Sequence, residues 1–240
     1  MIYLILPSYN EEKNLIKIFD KIDNLSTAKN FIVILVDDCS TDFTSSILKQ
    51  KKKFKLIYKK HHYNKGLSMA LETGFNVIKE KIKSNDLVIT MDSDNTHPIR
   101  IIPGMIKKLE KEKADIIIAS RFLPASAVNG LSYDRKILSV LAKQVFSFFF
   151  PYKNLKEYTC NFRIYKPILI KKLLKNKKFF KDEDFNIAVK IILYFITNVK
   201  HLKISEFPLI LNYHYKIGSS KMRVFKNIFL TLRLIFLKKF

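Results

Sequence analysis

Along the first 120 residues, short solid apolar runs alternate with stretches of helical spacing. The runs are residues 2–6, 31–36, 55–58, 86–91 and 115–119, and each reads as a strand buried on both faces. Between them, residues 11–22 carry Leu15, Ile16 and Phe19 at helical steps, and a short helix is expected from Thr41-Asp42 through Leu48. Residues 66–82 set Leu67, Ala70, Leu71, Gly74, Phe75 and Ile78 on one face, and residues 99–111 supply a further helix. Repeated strand–helix units predict an α/β fold with a mostly parallel central sheet and helices on both faces. Such sheets bind ligands beyond the carboxyl ends of their strands. Here those ends are polar: residues 8–11, Asp37-Asp38 and residues 92–94.

Past Ser120-Arg121 the rhythm changes. A loop with Pro124, Asn129 and Gly130 leads to a helix over 134–150; residues 161–165 suit a strand, 182–195 a helix and 202–211 an extended segment. No repeat or flexible linker interrupts residues 1–221, which are expected to form one domain. In residues 222–240, Met222, Phe225, Phe229, Leu232, Phe236 and Phe240 recur at three- and four-residue steps, with Arg223, Lys226 and Arg233 largely off that line and Lys238-Lys239 following. A basic amphipathic helix of this kind can lie in an anionic membrane interface or pack on the domain. No run of about 18 uncharged apolar residues exists, so no transmembrane helix is expected. The chain opens on a strand-like run, so no signal peptide is expected either.

Composition narrows the function classes. At 240 residues and 48% hydrophobic, the chain can bury one sizeable core. Lys and Arg total 44 against 21 acids, a net charge of +23. That balance suits phosphorylated substrates, anionic lipid or nucleic acid. AT-rich coding gives the same abundance of Lys, Ile, Asn and Phe without Trp, so placement of charge says more than its sum. Arginine is scarce, 6 residues against 38 lysines, and each arginine is the better marker of a specific place. No helix-turn-helix or RNA-binding aromatic motif is present, and nucleic acid is not expected as a partner. Cys39 and Cys160 have neither metal-ligand spacing nor the look of a disulfide framework, which fits a reduced, cytoplasmic setting.

The strongest chemical signal is Met91-Asp92-Ser93-Asp94-Asn95-Thr96-His97-Pro98. Carboxylates at the end of a core strand are costly to desolvate without a partner. Side chains at i and i+2 leave a strand on one face, so Asp92 and Asp94 can converge on a hard cation, Mg²⁺ or Mn²⁺, shared with substrate phosphates. A polar turn after a strand is the plainer reading of the same residues. Three other groups add to the picture. Tyr9, Asn10 and Glu11 follow the first strand and can meet a nucleobase or ribose, or cap the next helix. Lys65 enters the helix at Gly66, where free N–H groups attract anions, or is simply solvated. Arg135 and Ser139 lie four apart on one helix face and, with Arg121, suit a phosphate monoester.

In order and spacing, several stretches resemble family 2 glycosyltransferases of the GT-A (nucleotide-diphospho-sugar transferase) fold. They are Leu6-Pro7-Ser8-Tyr9-Asn10-Glu11, Val36-Asp37-Asp38-Cys39-Ser40-Thr41-Asp42, Asn64-Lys65-Gly66, the Asp92–Asp94 stretch, Ala119-Ser120-Arg121-Phe122, Asn161-Phe162-Arg163-Ile164-Tyr165 and Gly218-Ser219-Ser220-Lys221. Within that family the chain is most similar to the dolichol-phosphate mannosyltransferase-like branch, from Ile2 to about Lys221. The resemblance implies a metal-dependent, inverting enzyme that moves a sugar from a nucleotide-diphosphate sugar to a polyprenyl phosphate, dolichyl or undecaprenyl, at the inner face of the membrane. It places Pro7, Tyr9, Asn10, Glu11, Asp38, Lys65 and Asp92 on the nucleotide sugar, and Asp92 and Asp94 on Mg²⁺ or Mn²⁺. It places Arg121, Arg135 and Ser139 on the acceptor phosphate, and makes Asp92, Asp94 and Arg121 the catalytic set. Thr96, Lys216 and Lys221 are further candidates. Some relatives continue into transmembrane helices, so an integral membrane partner is expected to supply them here.

The chain also departs from that branch. Glu157 and Asn161 stand where Asp-x-x-x-Gly usually precedes Phe-Arg, Tyr215 stands where an arginine is usual, and Cys39 replaces a usual glycine. These changes leave the donor sugar open. Two other readings stay open with them. In one, the acceptor is a sugar hydroxyl of a cell-surface polysaccharide and Glu183 or Asp184 is the required base. In the other, the chain is a non-catalytic basic protein that binds membrane or nucleic acid, which intact site motifs argue against.

Overall fold

The computed structural model describes residues 1–49, 51–180, 187–215 and 217. Its strands are β1 (Ile2–Ser8), β2 (Phe31–Asp37), β3 (Lys55–Lys60), β4 (Leu87–Thr90), β5 (Ile116–Ser120), β6 (Ala127–Asn129), β7 (Arg163–Tyr165), β8 (Ile204–Pro208) and β9 (Ile210–Asn212). Its α-helices are α1 (Glu12–Asp23), α2 (Gly66–Ile78), α3 (Ile102–Glu112), α4 (Tyr133–Phe149), α5 (Pro167–Lys175) and α6 (Ile187–Asn198). Seven strands form one sheet in the order β3-β2-β1-β4-β7-β5-β8, and β6 pairs with β9 apart from it. Every neighbour in the large sheet is parallel except β7, which runs antiparallel to both β4 and β5.

Alternation along the strands divides the core in two. Leu4, Leu6, Val33, Leu35, Ile89 and Ile117 pack with Leu15, Ile18 and Phe19 of α1 and Met105 and Leu109 of α3. Tyr3, Ile5, Ile34, Val36, Val88 and Ile116 face the other way, against Leu71 and Phe75 of α2, Ile170 of α5 and Ile191 of α6. Both faces of the sheet are thus covered, as the solid apolar runs require. Helix α2 lies unusually close to β1: a Cβ on Gly74 would sit 2.5 Å from Cγ2 of Ile5.

The expected elements stand within a few residues of their places, with instructive exceptions. Residues 44–49 form only a 3₁₀ turn. Asp42 takes the Thr44 N–H at 3.0 Å and the Thr44 hydroxyl as well, so a side chain competes with the helical pattern there. The helix expected over 66–82 ends at Ile78, although Lys81 and Ile82 still donate their N–H groups to the Ile78 carbonyl. A 3₁₀ turn over Ile99–Ile101 precedes α3, whose Pro103 lies in the first turn, where its missing N–H costs nothing. Strand β6, helix α5 and the antiparallel sense of β7 are not marked by the pattern. Residues 182–186 and 222–240 lie outside the described residues, so the start of the helix expected at 182 and the whole terminal amphipathic helix do too. Among the described residues, no helix is long and apolar enough to cross a membrane.

Cys39 has φ of 67°, a left-handed conformation that a Cβ disfavours. Cys39→Gly is therefore expected to raise stability by about 1 kcal/mol, less the extra chain entropy of glycine. Urea unfolding checks it; a clear loss of stability would show that the contact of Sγ with the His62 carbonyl, 3.5 Å away, outweighs the strain.

Candidate active site

The parallel strands of the large sheet all end at one edge, and β7, being antiparallel, begins there. The residues leading into β7 are therefore delivered to the same rim as the ends of β4 and β5. This is how Glu157, Thr159 and Asn161 come to lie beside Asp92 and Arg121.

Beyond Thr90 the chain bends through Asp92–Asp94. Ser93 is buried and donates its hydroxyl to the Pro7 carbonyl at the end of β1, 2.8 Å away. With Ser93 turned inward, Asp92 and Asp94 leave on the opposite side, and both are partly exposed. Asn95 makes the turn with φ of 62°. Thr96 then donates both its N–H (3.2 Å) and its hydroxyl (2.7 Å) to Oδ1 of Asp94. Oδ1 of Asp92 accepts from Nδ2 of Asn161 at 3.1 Å. Each carboxylate thus accepts from a neutral donor, which helps orient it without bringing a charge of its own.

Arg121 follows β5 and is engaged from below. Its Nε and Nη2 donate to the two oxygens of Glu157, each at 2.8 Å, and Nη2 also donates to Thr159. Burial alone would push Glu157 up, but the guanidinium beside it holds the carboxyl at about 2, so this fully buried acid stays ionised. Glu157 is itself held by Glu206 on β8, whose Oε1 accepts the N–H groups of Lys156 and Glu157, both at 2.6 Å. The Nη1 end of Arg121 makes no hydrogen bond to the described residues. Tyr213 joins the same cluster. Burial pushes its phenol up, and the charges of Arg121, Asp94 and Asp92 all act on it.

The β1 and β2 ends are stitched together. Asn10, at φ of 53°, donates its N–H to Ser40 at 2.9 Å and accepts the Thr41 N–H on Oδ1 at 2.7 Å. Glu11 accepts from Asn14 at 2.6 Å. Asp37 is buried and accepts from the Ser40 N–H (2.7 Å) and the Tyr58 hydroxyl (2.6 Å). Asp38, expected on the nucleotide sugar, also has partners within the fold. Its carboxylate takes the N–H groups of Lys65 and Gly66, each at 2.8 Å, and pairs with Nδ1 of His61 at 2.7 Å. The Lys65 and Gly66 N–H groups at the start of α2 are therefore satisfied by the Asp38 carboxylate. The Lys65 ammonium lies 5.2 Å from the Tyr63 ring centre.

Arg135 and Ser139 share one face of α4, both partly buried. The next residue on that face, Lys143, places its ammonium 5.1 Å from the ring centre of Phe122, and the Arg121 guanidinium lies 5.5 Å from the same ring. Phe122 thus ties the basic face of α4 to the rim. Lys143, Glu157, Asn161 and Tyr213 are the rim residues that the motifs did not single out as functional. Glu157 and Asn161 were visible as departures, whereas Lys143 shows only as a third residue at four-residue spacing. Lys216, Lys221, Glu183 and Asp184 lie outside the described residues.

Residues 3–177 match the model of the family described as Glycosyl transferase family 2. The chain belongs to that family. Among curated relatives of this family 2 member, a dolichol-phosphate mannosyltransferase of Pyrococcus furiosus is 31% identical over 97% of the chain, which spans 62% of that protein's length. A UDP-N-acetylglucosamine–dolichyl-phosphate N-acetylglucosaminyltransferase of Methanococcus voltae is 28% identical over 57% of this chain and 58% of its own. Solved structures agree on the GT-A fold. Glucosyl-3-phosphoglycerate synthase of Mycobacterium tuberculosis, in complex with Mn²⁺, UDP and phosphoglyceric acid, superposes with a TM-score of 0.61 at 16% identity, covering 98% of this chain and 76% of that one. S. aureus TarS in complex with UDP-GlcNAc gives 0.62 at 19%, covering 99% and 66%.

Proposed function

We propose that this chain is an inverting glycosyltransferase that moves a sugar from a nucleotide-diphosphate sugar to a polyprenyl phosphate at the inner face of the membrane. The observation that carries the reading is the Phe122 bridge. It brings the face of α4 that holds Arg135, Ser139 and Lys143 to the rim where Asp92, Asp94 and Arg121 lie. In this reading, carboxylates for a cation lie on the same edge of the sheet as Arg121, and the face of α4 that reaches Phe122 through Lys143 adds Arg135 for a phosphate monoester. The kinship with two proteins whose names include dolichyl or dolichol phosphate supports the same acceptor class.

The residues at Asp92 and Asp94 fit a divalent cation. They are hard oxygen donors, fixed by Asn161 and Thr96, and a buried amide oxygen of Asn161 beside them lacks a donor among the described residues. When bound, Mg²⁺ or Mn²⁺ would neutralise the charge of the departing nucleoside diphosphate. The remaining work falls to the protein. An acceptor phosphate is already anionic, so it needs placement rather than a base. Arg121, kept charged and oriented by Glu157, points its remaining guanidinium nitrogen toward that phosphate in this reading, and Arg135 and Ser139 complete the cradle. A phosphate oxygen attacks the anomeric carbon as the bond to the diphosphate oxygen breaks, in one in-line displacement that inverts the centre. Incubation with radiolabelled nucleotide sugars and undecaprenyl or dolichyl phosphate, followed by organic extraction, tests the whole proposal. Label that stays in the aqueous phase with every donor would overturn it.

Arg135→Ala is expected to raise the KM for the lipid phosphate about tenfold or more while changing the KM for the nucleotide sugar little, since loss of one charge-assisted hydrogen bond is worth about 1.5–3 kcal/mol. Equal effects on both substrates would remove Arg135 from the acceptor site.

Membrane attachment is supported by the outer face of α4. Tyr133, Ile137, Leu141 and Phe148 recur along it and are 78%, 43%, 49% and 78% exposed. Each such side chain entering the acyl boundary gains at most about 1.5–3 kcal/mol, enough in sum for reversible attachment without a spanning helix. The segment 222–240, basic and amphipathic by sequence, is expected to add to it. The double variant Ile137→Asp, Phe148→Asp should lose most of its binding to anionic liposomes and keep its nucleotide-sugar binding. Undiminished liposome binding at high salt would move the attachment elsewhere.

A further inference from the structure

We infer that Asn161 is a positioning residue for Asp92, fixing the carboxylate's rotamer so that it can hold a divalent cation; this rests on the metal reading above. Three observations carry it. First, Asn161 is tied to the end of β4 twice. Its main-chain carbonyl accepts the Thr90 hydroxyl at 2.6 Å, and its Nδ2 donates to Oδ1 of Asp92 at 3.1 Å. Second, the residue is 5% exposed, so the amide is held by packing and does not sample other positions freely. Third, Oδ1 of the same amide is buried without a donor among the described residues. A buried acceptor left unpaired weakens a fold. Asn161 is thus poorly chosen for stability and well chosen for aiming Nδ2.

The choice of an amide matters. A lysine or arginine in its place would also orient Asp92 but would cancel the charge that attracts a cation. A glycine could keep the main-chain bond to Thr90 and would remove the Nδ2 bond to Asp92. A short neutral donor bonds the carboxylate without bringing a charge of its own. Groups behind a metal ligand of this kind typically change metal affinity by 10–100-fold when removed.

Mn²⁺ binding to the full chain, followed by the electron paramagnetic resonance of free Mn²⁺ with and without UDP, provides a readout independent of turnover. In Asn161→Ala the Mn²⁺ dissociation constant should rise about tenfold, while the melting temperature stays level or rises because the unpaired oxygen is gone. A purely structural role predicts the reverse: a lower melting temperature and unchanged Mn²⁺ affinity. Asn161→Leu keeps the volume and the main-chain Thr90 contact should the alanine variant fail to fold. It offers Asp92 no donor, so its Mn²⁺ dissociation constant should rise by a similar factor. Wild-type affinity in the variants that fold overturns the role of Asn161 alone. No saturable Mn²⁺ binding to the wild type overturns the metal reading and this inference with it.

Discussion

Asp94→Asn is expected to lower turnover on the order of a thousandfold, a loss comparable to that of a principal charge-stabilising group, with the melting temperature nearly unchanged. The substitution conserves volume and removes one negative charge at the point where charge is needed. The Thr96 N–H and hydroxyl that fix Oδ1 still find an amide oxygen to bond, so the turn after β4 should hold. The effect should therefore appear in kcat and in Mn²⁺ affinity together, and circular dichroism should not change. Chelation is the companion measurement: EDTA should silence the wild type and added Mg²⁺ or Mn²⁺ restore it. Near-wild-type transfer in EDTA, or by Asp94→Asn, would remove the metal from the proposal.

The largest expected effect on stability lies at Arg163. This side chain is fully buried, and it donates to the carbonyls of Tyr158 at 2.7 Å and Ala188 at 2.6 Å. It therefore joins the turn that carries Glu157 and Asn161 to the start of α6. Arg163→Met fills much of the space but removes both of these bonds, leaving the Ala188 carbonyl only its helical partner. Each hydrogen bond to a charged group is worth about 1.5–3 kcal/mol, so a loss of about 3–5 kcal/mol is expected. Urea unfolding should show a lower midpoint at an unchanged slope. A loss below about 1 kcal/mol would mean that solvent or rearrangement satisfies those carbonyls at little cost. The sequence presented Arg163 as part of a family motif, and its neighbours in the structure make it a brace for the rim.

What the sequence disclosed followed from period and punctuation. Solid runs such as those leading to Leu6 and Val36 can only be strands covered on both sides, and they predicted the parallel half of the sheet. Strand β7 was legible as a strand but not in its sense, because three residues carry no directional signal and its place depends on partners far away in the chain. Strand β6 and helix α5 were hidden for a related reason: the first is three residues long, and the second is short and rich in lysine. Asp92 and Asp94 stood out because two acids one residue apart end an apolar run. Asp38 was assigned by resemblance to the nucleotide sugar, but its partners within the fold could not be foreseen, since they come from residues 61–66. Glu157 and Asn161 registered as irregularities, and their meaning depended on the antiparallel entry of β7.

That entry has a consequence for how the protein is made. The first 120 residues can assemble β3, β2, β1 and β4 as a parallel block, but β4 is left with an open edge and β5 with no neighbour until residue 165 arrives to pair with both. On the ribosome, the emerging chain passes through a stage with a bare, apolar sheet margin, the kind of margin that invites pairing with other chains. The same late segment brings the amide that steadies Asp92 and the acid that steadies Arg121. Covering the edge of β4 and bringing Asn161 and Glu157 to the rim are thus one event, while β5 keeps its other edge open until residues 204–208 pair with it.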